Sequence, residues 1–288
     1  QSITRIESLP MRQCKSGISS IITTRLVYPH SIVKEQHNAF VFKRIIKKKK
    51  MSRIRTIIFD VDDTLYDVGT GFTAHRNGEG AQRFMVEELN FPSLEAAKLV
   101  RDEYFERYHS TSKALAVAED EGRFPEPKTP LLPEQGRERR FYASDLSNYW
   151  AAHLDFTILG KPDPDLIQMF ESLQNDCGLQ LVAFSNGPRT YVKRALKEMA
   201  LDKYFAEDRL FAVDDVLPHC KPEPEAFELI LKSLNGVKPE ECIMVEDSMK
   251  NTRAAKALGL KTVLIAGRGR LRPTSGGDGG DGGDGGDG

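Results

Sequence analysis

The apolar residues of this chain fall into five short runs that are separated by segments with helical patterns. The runs are Ile54–Phe59, Leu179–Phe184, Leu210–Val213, Cys242–Val245 and Lys261–Ile265. Runs of this length, rich in β-branched residues, are typical of buried parallel strands. Helical spacing appears between the later runs, for example over Thr190–Met199, Pro224–Leu234 and Met249–Leu258. Strands that alternate with helices predict an α/β fold, with a Rossmann-like parallel sheet flanked by helices.

The interval between the first two strands is far longer than a single crossover helix requires. Apolar stripes at helical spacing, and a segment around the single tryptophan, predict three helices here: around Phe84, Met85 and Leu89; around Ala97, Val100, Tyr104 and Tyr108; and over Arg137–His153. Gly122–Pro133 contains four prolines and is predicted to be a loop. We therefore predict a helical cap over residues 68–156, inserted into a core formed by 51–67 and 157–270. Such a cap would close over a site and exclude water.

The two ends of the chain have unusual compositions. Residues 1–50 contain eleven basic and two acidic residues, which is the composition of an organellar transit peptide or a basic nuclear signal. The interpretation that we favour is simpler: Met51, just before the first strand, is the start of the protein. Residues 271–288 end in Gly-Gly-Asp repeats from Ser275 onward and are predicted to be disordered, because they cannot bury a core.

Composition narrows the classes of function. Without residues 1–50, the chain has thirty basic and forty acidic residues, so nucleic acid is not expected as a partner. No apolar run approaches the roughly 20 residues that span a bilayer, so no membrane association is expected. The four cysteines are widely spaced and are predicted to be free thiols. We expect a cytoplasmic protein, or a nuclear or organellar one if residues 1–50 are a targeting segment.

Two carboxylates directly follow the first strand. Asp60 and Asp62 belong to the sequence Asp-Val-Asp-Asp-Thr, at the carboxyl end of a buried run, where open α/β sheets bind ligands. Carboxylates held close together repel each other, so they favour a shared proton or a cation. Mg²⁺ fits, because it takes carboxylate oxygens and leaves room for a substrate phosphate. Taken alone, the motif is equally an acidic turn after a strand.

Polar residues follow the next two strands. Ser185 and Asn186 come after the second strand and before a helix, where a hydroxyl and backbone N–H groups can hold a phosphate. The alternative is an ordinary helix cap. Lys221 follows the third strand and precedes two prolines, so its ammonium could neutralise a phosphoryl group at the sheet edge. The alternative is a solvated surface lysine.

The fourth strand ends in Glu246 and Asp247. Adjacent acidic residues at this position would complete a magnesium site. An acidic first turn of the next helix is the alternative. Each of these signals is weak, but their order along the chain is specific.

This order resembles that of the haloacid dehalogenase superfamily over about residues 53–266. The resemblance implies that Asp60 is the nucleophile and forms an aspartyl-phosphate, and that Asp62 is the general acid and base. It also implies that Ser185, Asn186 and Lys221 bind the phosphoryl group. Mg²⁺ is the implied cofactor, and its ligands would be Asp60, the backbone carbonyl of Asp62, Glu246 and Asp247.

Within this superfamily the chain resembles the pyrimidine 5′-nucleotidase subgroup. The supporting segments are Asp63–Tyr66, Glu103–Tyr108, His153–Phe156 and Gly160–Pro164. His109 and Glu246 depart from the pattern of that subgroup, where glycine and aspartate are common. Tyr104 and Tyr108 in the cap could stack on a base, although such an aromatic stripe is more often the core of its own domain.

These observations predict a magnesium-dependent phosphatase that acts on a small phosphomonoester, with pyrimidine nucleoside 5′-monophosphates as the first candidates. A sugar-phosphate phosphatase or a β-phosphoglucomutase-like phosphotransferase is the alternative within the superfamily, and a non-catalytic binding protein is the third possibility. The dehalogenase reaction is disfavoured, because Asp62 and Asp247 supply the acid and the metal carboxylate that phosphoryl transfer needs. The oligomeric state is left open between monomer and homodimer.

Overall fold

A computed structural model describes residues 54–127 and 137–267. The predicted N-terminal segment, the Gly/Asp-rich tail, the second half of the proline-rich loop and Cys14 lie outside these residues. The other cysteines, Cys177, Cys220 and Cys242, are free thiols, as predicted. Among the described residues, no helix is both long and apolar enough to cross a bilayer.

Five parallel strands form one sheet in the order β3-β2-β1-β4-β5. Their bounds are β1 Thr56–Phe59, β2 Gln180–Phe184, β3 Leu210–Phe211, β4 Cys242–Glu246 and β5 Lys261–Leu264. In the register of β1, Ile58 lies opposite Val182 on one side and Met244 on the other. All five predicted strands are therefore confirmed, and the first strand of the chain is the central strand of the sheet.

Nine α-helices occur in the described residues. In chain order they are α1 Phe72–His75, α2 Ala81–Glu87, α3 Leu94–Tyr108, α4 Thr111–Asp120, α5 Ala143–His153, α6 Pro164–Glu171, α7 Arg189–Glu198, α8 Pro224–Ser233 and α9 Met249–Ala257. A π-helical turn, Arg76–Gly80, joins α1 to α2. Helices α1 to α6 all lie between β1 and β2. We refer to α1 to α5, together with the segments that join them, as the cap, because they fall within the predicted range 68–156. The predicted boundaries of the cap and the core stay a prediction.

Alternate residues of each strand pack on opposite faces of the sheet, as the period of a β-strand requires. Ile57 and Phe59 belong to the larger buried cluster, which includes side chains of α6, α7 and the cap. Ile58 belongs to a second cluster with Phe227 of α8 and Ala255 of α9. Both faces of the sheet are thus covered, which explains why its strands read as continuous apolar runs.

One predicted helix begins later than expected. The prediction placed its start at Arg137, but α5 begins at Ala143. The preceding residues are held by side chains instead: Glu119 accepts from the backbone N–H of Phe141 at 3.3 Å, and Asp145 accepts from that of Tyr142 at 3.0 Å. Helix α6, with Asp163 as its N-cap and Pro164 in its first turn, was not among the predicted helices.

The packing beneath the central strand generates a stability prediction. Phe170 of α6 is fully buried, and the centre of its ring lies 4.8 Å from the ring centre of Phe59. We expect Phe170→Ala to lower the free energy of unfolding by roughly 3–5 kcal/mol, because it leaves a cavity in the core. Leu99→Ala, at a side chain that is 73% exposed, should change it by less than about 0.5 kcal/mol. Urea unfolding measures the free energy of unfolding of both variants. Equal losses would contradict the placement of Phe170 in the core.

Candidate active site

The polar residues that follow the strands meet at one edge of the sheet. Asp60 follows β1, Ser185 follows β2, and Glu246 ends β4. Because β2 and β4 flank β1, their carboxyl ends bring these side chains to the same place. Lys221, three residues before α8, reaches into this edge from the side.

Lys221 lies at the centre of the site. Its side chain is 1% exposed, and its ammonium group contacts three acceptors. These are Asp60 Oδ1 at 2.6 Å, the carbonyl oxygen of Phe184 at 2.8 Å and Glu246 Oε2 at 2.9 Å. All three protons of the ammonium are thereby used, so a solvated surface position is ruled out for this lysine.

The charges around Lys221 do not balance, since one ammonium faces two buried carboxylates. Burial raises the pKa of Asp60, and the neighbouring Glu246 raises it further against the opposing effect of Lys221. The pKa of Lys221 is also raised, because its carboxylate partners outweigh the effect of burial. The oxygens of Asp60, Glu246 and Asp247 lie within 4.8 Å of one another.

This set of side chains fits Mg²⁺. Three carboxylates and one ammonium leave an excess of negative charge, and a divalent cation would compensate that charge. Carboxylate oxygens that lie this close together are also the donors that Mg²⁺ prefers. Asp60, Glu246 and Asp247 would hold the ion.

Asn186 acts on Lys221 through its backbone. The amide nitrogen of its side chain donates to the carbonyl oxygen of Lys221 at 2.8 Å, and its amide oxygen accepts from the N–H of Lys221 at 2.9 Å. Both ends of the carboxamide are therefore engaged with Lys221. The predicted contact of Asn186 with phosphate is untested, and what the structure assigns to this residue is the positioning of Lys221.

Asp62 is surrounded by hydrogen-bond donors. Its Oδ1 accepts from the hydroxyls of Tyr66 at 2.7 Å and Tyr191 at 2.5 Å, and its Oδ2 accepts from Ser185 Oγ at 3.1 Å. Arg76 Nη1 forms an ion pair with Oδ2 at 2.7 Å. The carboxylate is thus fixed by groups from the β1 and β2 loops, from α7 and from the cap.

These donors decide the charge of Asp62. Burial alone would raise its pKa, but Arg76 and the hydrogen bond from Tyr191 outweigh burial and lower it. Asp60 and Asp62 are only two residues apart, yet their pKa values are displaced in opposite directions. These directions are opposite to those that the predicted nucleophile Asp60 and acid Asp62 require, and a divalent cation beside Asp60 would lower the pKa of Asp60.

The hydroxyl of Ser185 is engaged twice. It donates to Asp62 and accepts from the N–H of Gly187 at 2.8 Å. Ser185 does not cap α7, because the N–H groups of Thr190 and Tyr191 bond instead to Ser147 Oγ of α5, at 2.7 and 3.2 Å. The N-terminal capping of α7, which was the alternative role for Ser185, is therefore performed by Ser147 of α5.

The two cap tyrosines differ in their surroundings. Tyr104 is fully buried between α3 and α4, and its hydroxyl bonds to Glu121. This burial favours the core alternative for Tyr104, whose stacking on a base stays a prediction. Tyr108 is half-buried, with Lys113 Nζ 5.3 Å from its ring centre.

Two residues of the site were missed from the sequence. Arg76 lies in a helical segment among polar residues, and only its position in the π-helical turn distinguishes it from a surface arginine. Tyr191 lies in the predicted helix Thr190–Met199, whose pattern gives it no role at the site. The contact of Arg76 with Asp62 depends on the packing of the cap against the sheet, and that of Tyr191 on the packing of α7.

Comparisons with known proteins also indicate a hydrolase. A family model for haloacid dehalogenase-like hydrolases matches residues 54–259. Over 116 residues the chain is 31% identical to phosphoglycolate phosphatase 1 of Pseudomonas aeruginosa, covering 40% of this chain and 41% of that protein. Over 108 residues it is 29% identical to a phosphorylated carbohydrates phosphatase of Thermotoga maritima, covering 38% and 48%. The chain therefore spans less than half the length of these curated relatives.

Among solved structures, a haloacid dehalogenase-like phosphatase from Thermococcus onnurineus is similar over 77% of this chain and 90% of its own. The sequence identity is 22% and the TM-score is 0.49.

The shared ammonium generates a prediction about stability. We expect Lys221→Met to lower the free energy of unfolding by roughly 3–5 kcal/mol in EDTA, because it leaves buried carboxylates without their cation. Lys203→Met is the matched control: this lysine is 60% exposed and lies 3.6 Å from Glu171, so its loss should cost under about 1 kcal/mol. Denaturant unfolding at pH 8 compares the two variants, and a cost for Lys221→Met no larger than the control's would contradict the shared ion pair.

Proposed function

Because the chain belongs to the haloacid dehalogenase-like hydrolases, we propose that it is a magnesium-dependent phosphatase acting on small phosphorylated acids or sugars. The observation that carries this proposal is the arrangement of Asp60 and Asp62. Asp60 lies beside an ammonium and two further carboxylates, whereas Asp62 is held by three hydroxyl donors and by an ion pair with Arg76. The relatives named above are phosphoglycolate and carbohydrate phosphatases. They support the sugar-phosphate alternative better than the pyrimidine nucleotidase interpretation.

In the first half of the proposed reaction, a carboxylate oxygen of Asp60 attacks the phosphorus atom. The bond from phosphorus to the alcohol oxygen breaks, and Asp62 gives a proton to that oxygen. Lys221 keeps Asp60 in place and offsets negative charge on the phosphoryl oxygens. Mg²⁺ held by Asp60, Glu246 and Asp247 supplies further charge neutralisation when it is bound.

In the second half, Asp62 takes a proton from a water molecule, whose oxygen attacks phosphorus and releases phosphate from Asp60. The three hydroxyl donors and the Arg76 guanidinium around Asp62 stabilise the carboxylate that acts as base in this step. For the first step Asp62 must carry a proton, so one of its contacts has to give way. Arg76 comes from the cap, and a movement of the cap would therefore couple binding of the substrate to the protonation of Asp62.

The first test is phosphate release from a panel of esters, with Mg²⁺ and with EDTA. The panel consists of 2-phosphoglycolate, glucose 1-phosphate, UMP, CMP and p-nitrophenyl phosphate. We expect magnesium-dependent release, with 2-phosphoglycolate or the sugar phosphate turned over faster than the nucleotides. A preference for UMP and CMP would restore the nucleotidase interpretation, and no release from any ester would contradict a phosphatase function.

A variant at the nucleophile tests the chemistry. Asp60→Asn should lower kcat by roughly 10⁴-fold or more, since an amide cannot form the phosphoenzyme. The amide has nearly the same shape as the carboxyl group, so we expect a cooperative thermal transition to be retained. Activity near that of the wild type would remove Asp60 from the role of nucleophile.

A second variant tests the metal carboxylates. Asp247→Asn should raise the Mg²⁺ concentration for half-maximal activity by about tenfold or more, because a charged ligand is lost. Asp208→Asn is the control, since that carboxylate is 72% exposed. Calorimetric titration with Mg²⁺ gives the same comparison without turnover. Identical affinities for the two variants would mean that Asp247 is not a ligand.

A further inference from the structure

A small polar cleft lies where the cap meets the sheet. It is bordered by the start of α4 at Ser110, Thr111 and Ser112, by Arg76 and Trp150 of the cap, and by Gly187 in the loop after β2. The cap and this loop are in contact here, since Ser110 Oγ donates to the carbonyl oxygen of Asn186 at 3.3 Å. The cleft is therefore formed jointly by the cap and the core.

Four buried polar atoms on residues that border the cleft lack hydrogen-bond partners among the residues that the structure describes. Arg76 Nη1 is one of them, although it is ion-paired with Asp62. The other three are Thr111 Oγ1, Ser112 Oγ and Trp150 Nε1, on side chains that are 4%, 1% and 1% exposed. Buried polar groups are nearly always hydrogen-bonded, because an unpaired one costs free energy. Several such groups around one cleft indicate a site built to receive a polar ligand.

The chemistry of these groups selects an acceptor. The indole N–H of Trp150 and the guanidinium of Arg76 can only donate hydrogen bonds, and hydroxyls can donate as well. No aspartate or glutamate lines the cleft, whereas Arg76 brings a positive charge. An oxyanion meets these conditions better than a neutral group, because hydrogen bonds to an ionised acceptor are the stronger ones.

The size of the cleft limits the ligand. Its cavity volume is ≈ 40 Å³. Since one water needs about 10–15 Å³, the cleft has room for about three or four non-hydrogen atoms. A carboxylate on a short carbon chain is of this size, and a nucleoside is several times larger.

The cleft is also next to the reacting groups. Arg76 borders it and forms the ion pair with Asp62 at 2.7 Å. Gly187 borders it and donates to Ser185 Oγ, which itself donates to Asp62. An alcohol oxygen that takes its proton from Asp62 would therefore leave the rest of the substrate pointing toward Thr111 and Ser112.

We propose that this cleft binds the carboxylate of the substrate, and that the substrate is the phosphate ester of a two- or three-carbon hydroxy acid. Thr111 and Ser112 donate their hydroxyl protons to the carboxylate oxygens, and the Trp150 indole N–H adds a third donor. This assignment rests on the proposed phosphatase function and adds to it the residues that select the substrate.

The experiment compares two esters that differ only in the carboxylate: 2-phosphoglycolate and ethyl phosphate. The variant is the double substitution Thr111→Val and Ser112→Ala, which removes both hydroxyls and keeps the side chains similar in size. Ser93→Ala is the control, because its hydroxyl caps α3, away from the cleft, by accepting from the N–H of Ala96 at 3.2 Å. Both kcat/KM for each ester and calorimetric binding of each ester to Asp60→Asn are measured.

We expect wild-type kcat/KM to be at least about 100-fold higher for 2-phosphoglycolate than for ethyl phosphate. The double variant should reduce this ratio about tenfold or more, with little change for ethyl phosphate, since each lost donor to a charged acceptor weakens binding by about tenfold. A wild-type ratio near one, or a ratio that the double variant leaves unchanged, would overturn the proposal.

The binding measurement separates this proposal from the proposed function. If neither ester nor p-nitrophenyl phosphate is hydrolysed, the phosphatase function fails. The carboxylate subsite then stands if Asp60→Asn binds 2-phosphoglycolate more tightly than ethyl phosphate and loses this preference with the double substitution. It falls if the two esters bind equally.

Discussion

The ammonium of Lys221 is the interaction on which the rest of the site depends. It joins the ends of three neighbouring strands, because its acceptors are Asp60 after β1, Phe184 at the end of β2 and Glu246 at the end of β4. A buried lysine is stable only where its charge is compensated and its protons are used. Here both conditions are met, and the same contacts leave negative charge in excess. A divalent cation such as Mg²⁺, held by Asp60, Glu246 and Asp247, would compensate that excess.

Asp62 connects this charge cluster to the cap. Arg76 of the cap forms an ion pair with Asp62, and Ser147 of the cap accepts a hydrogen bond from the first turn of α7. Tyr191 of α7 also donates a hydrogen bond to Asp62. The position of the cap therefore affects the pKa of Asp62 directly, through Arg76. In the proposed reaction, this contact would link closure of the cap to the charge of the group that transfers the proton.

The parts of this structure that follow from local rules could be predicted from the sequence. Five apolar runs gave five parallel strands, and residues at their carboxyl ends had to meet, so Asp60, Lys221 and Glu246 could be grouped before any coordinates. Arg76 could not be assigned to this site from the sequence, because its contact with Asp62 results from the packing of a helical turn whose sequence is that of an ordinary polar segment. The late start of α5 has a similar cause, since Glu119, more than twenty residues earlier in the chain, holds the backbone before it. Long-range side-chain contacts of this kind leave no periodic pattern in the sequence.

The aromatic residues of the cap favour a ligand other than a nucleobase at this cleft. A base needs an open ring face, and the faces near the cleft are covered: Arg101 lies 4.1 Å from the ring centre of Phe105, and Arg76 lies 5.3 Å from that of Trp150. Tyr104 is buried altogether. The indole N–H of Trp150 lacks a hydrogen-bond partner among the described residues, as do the hydroxyls of Thr111 and Ser112, which border the same cleft. The ring faces of Phe105 and Trp150 therefore contact arginines, whereas the hydroxyls of Thr111 and Ser112 remain available as donors to a ligand. An aromatic stripe in a sequence indicates where a cap packs, whereas the hydroxyls at the start of α4 determine what it can bind.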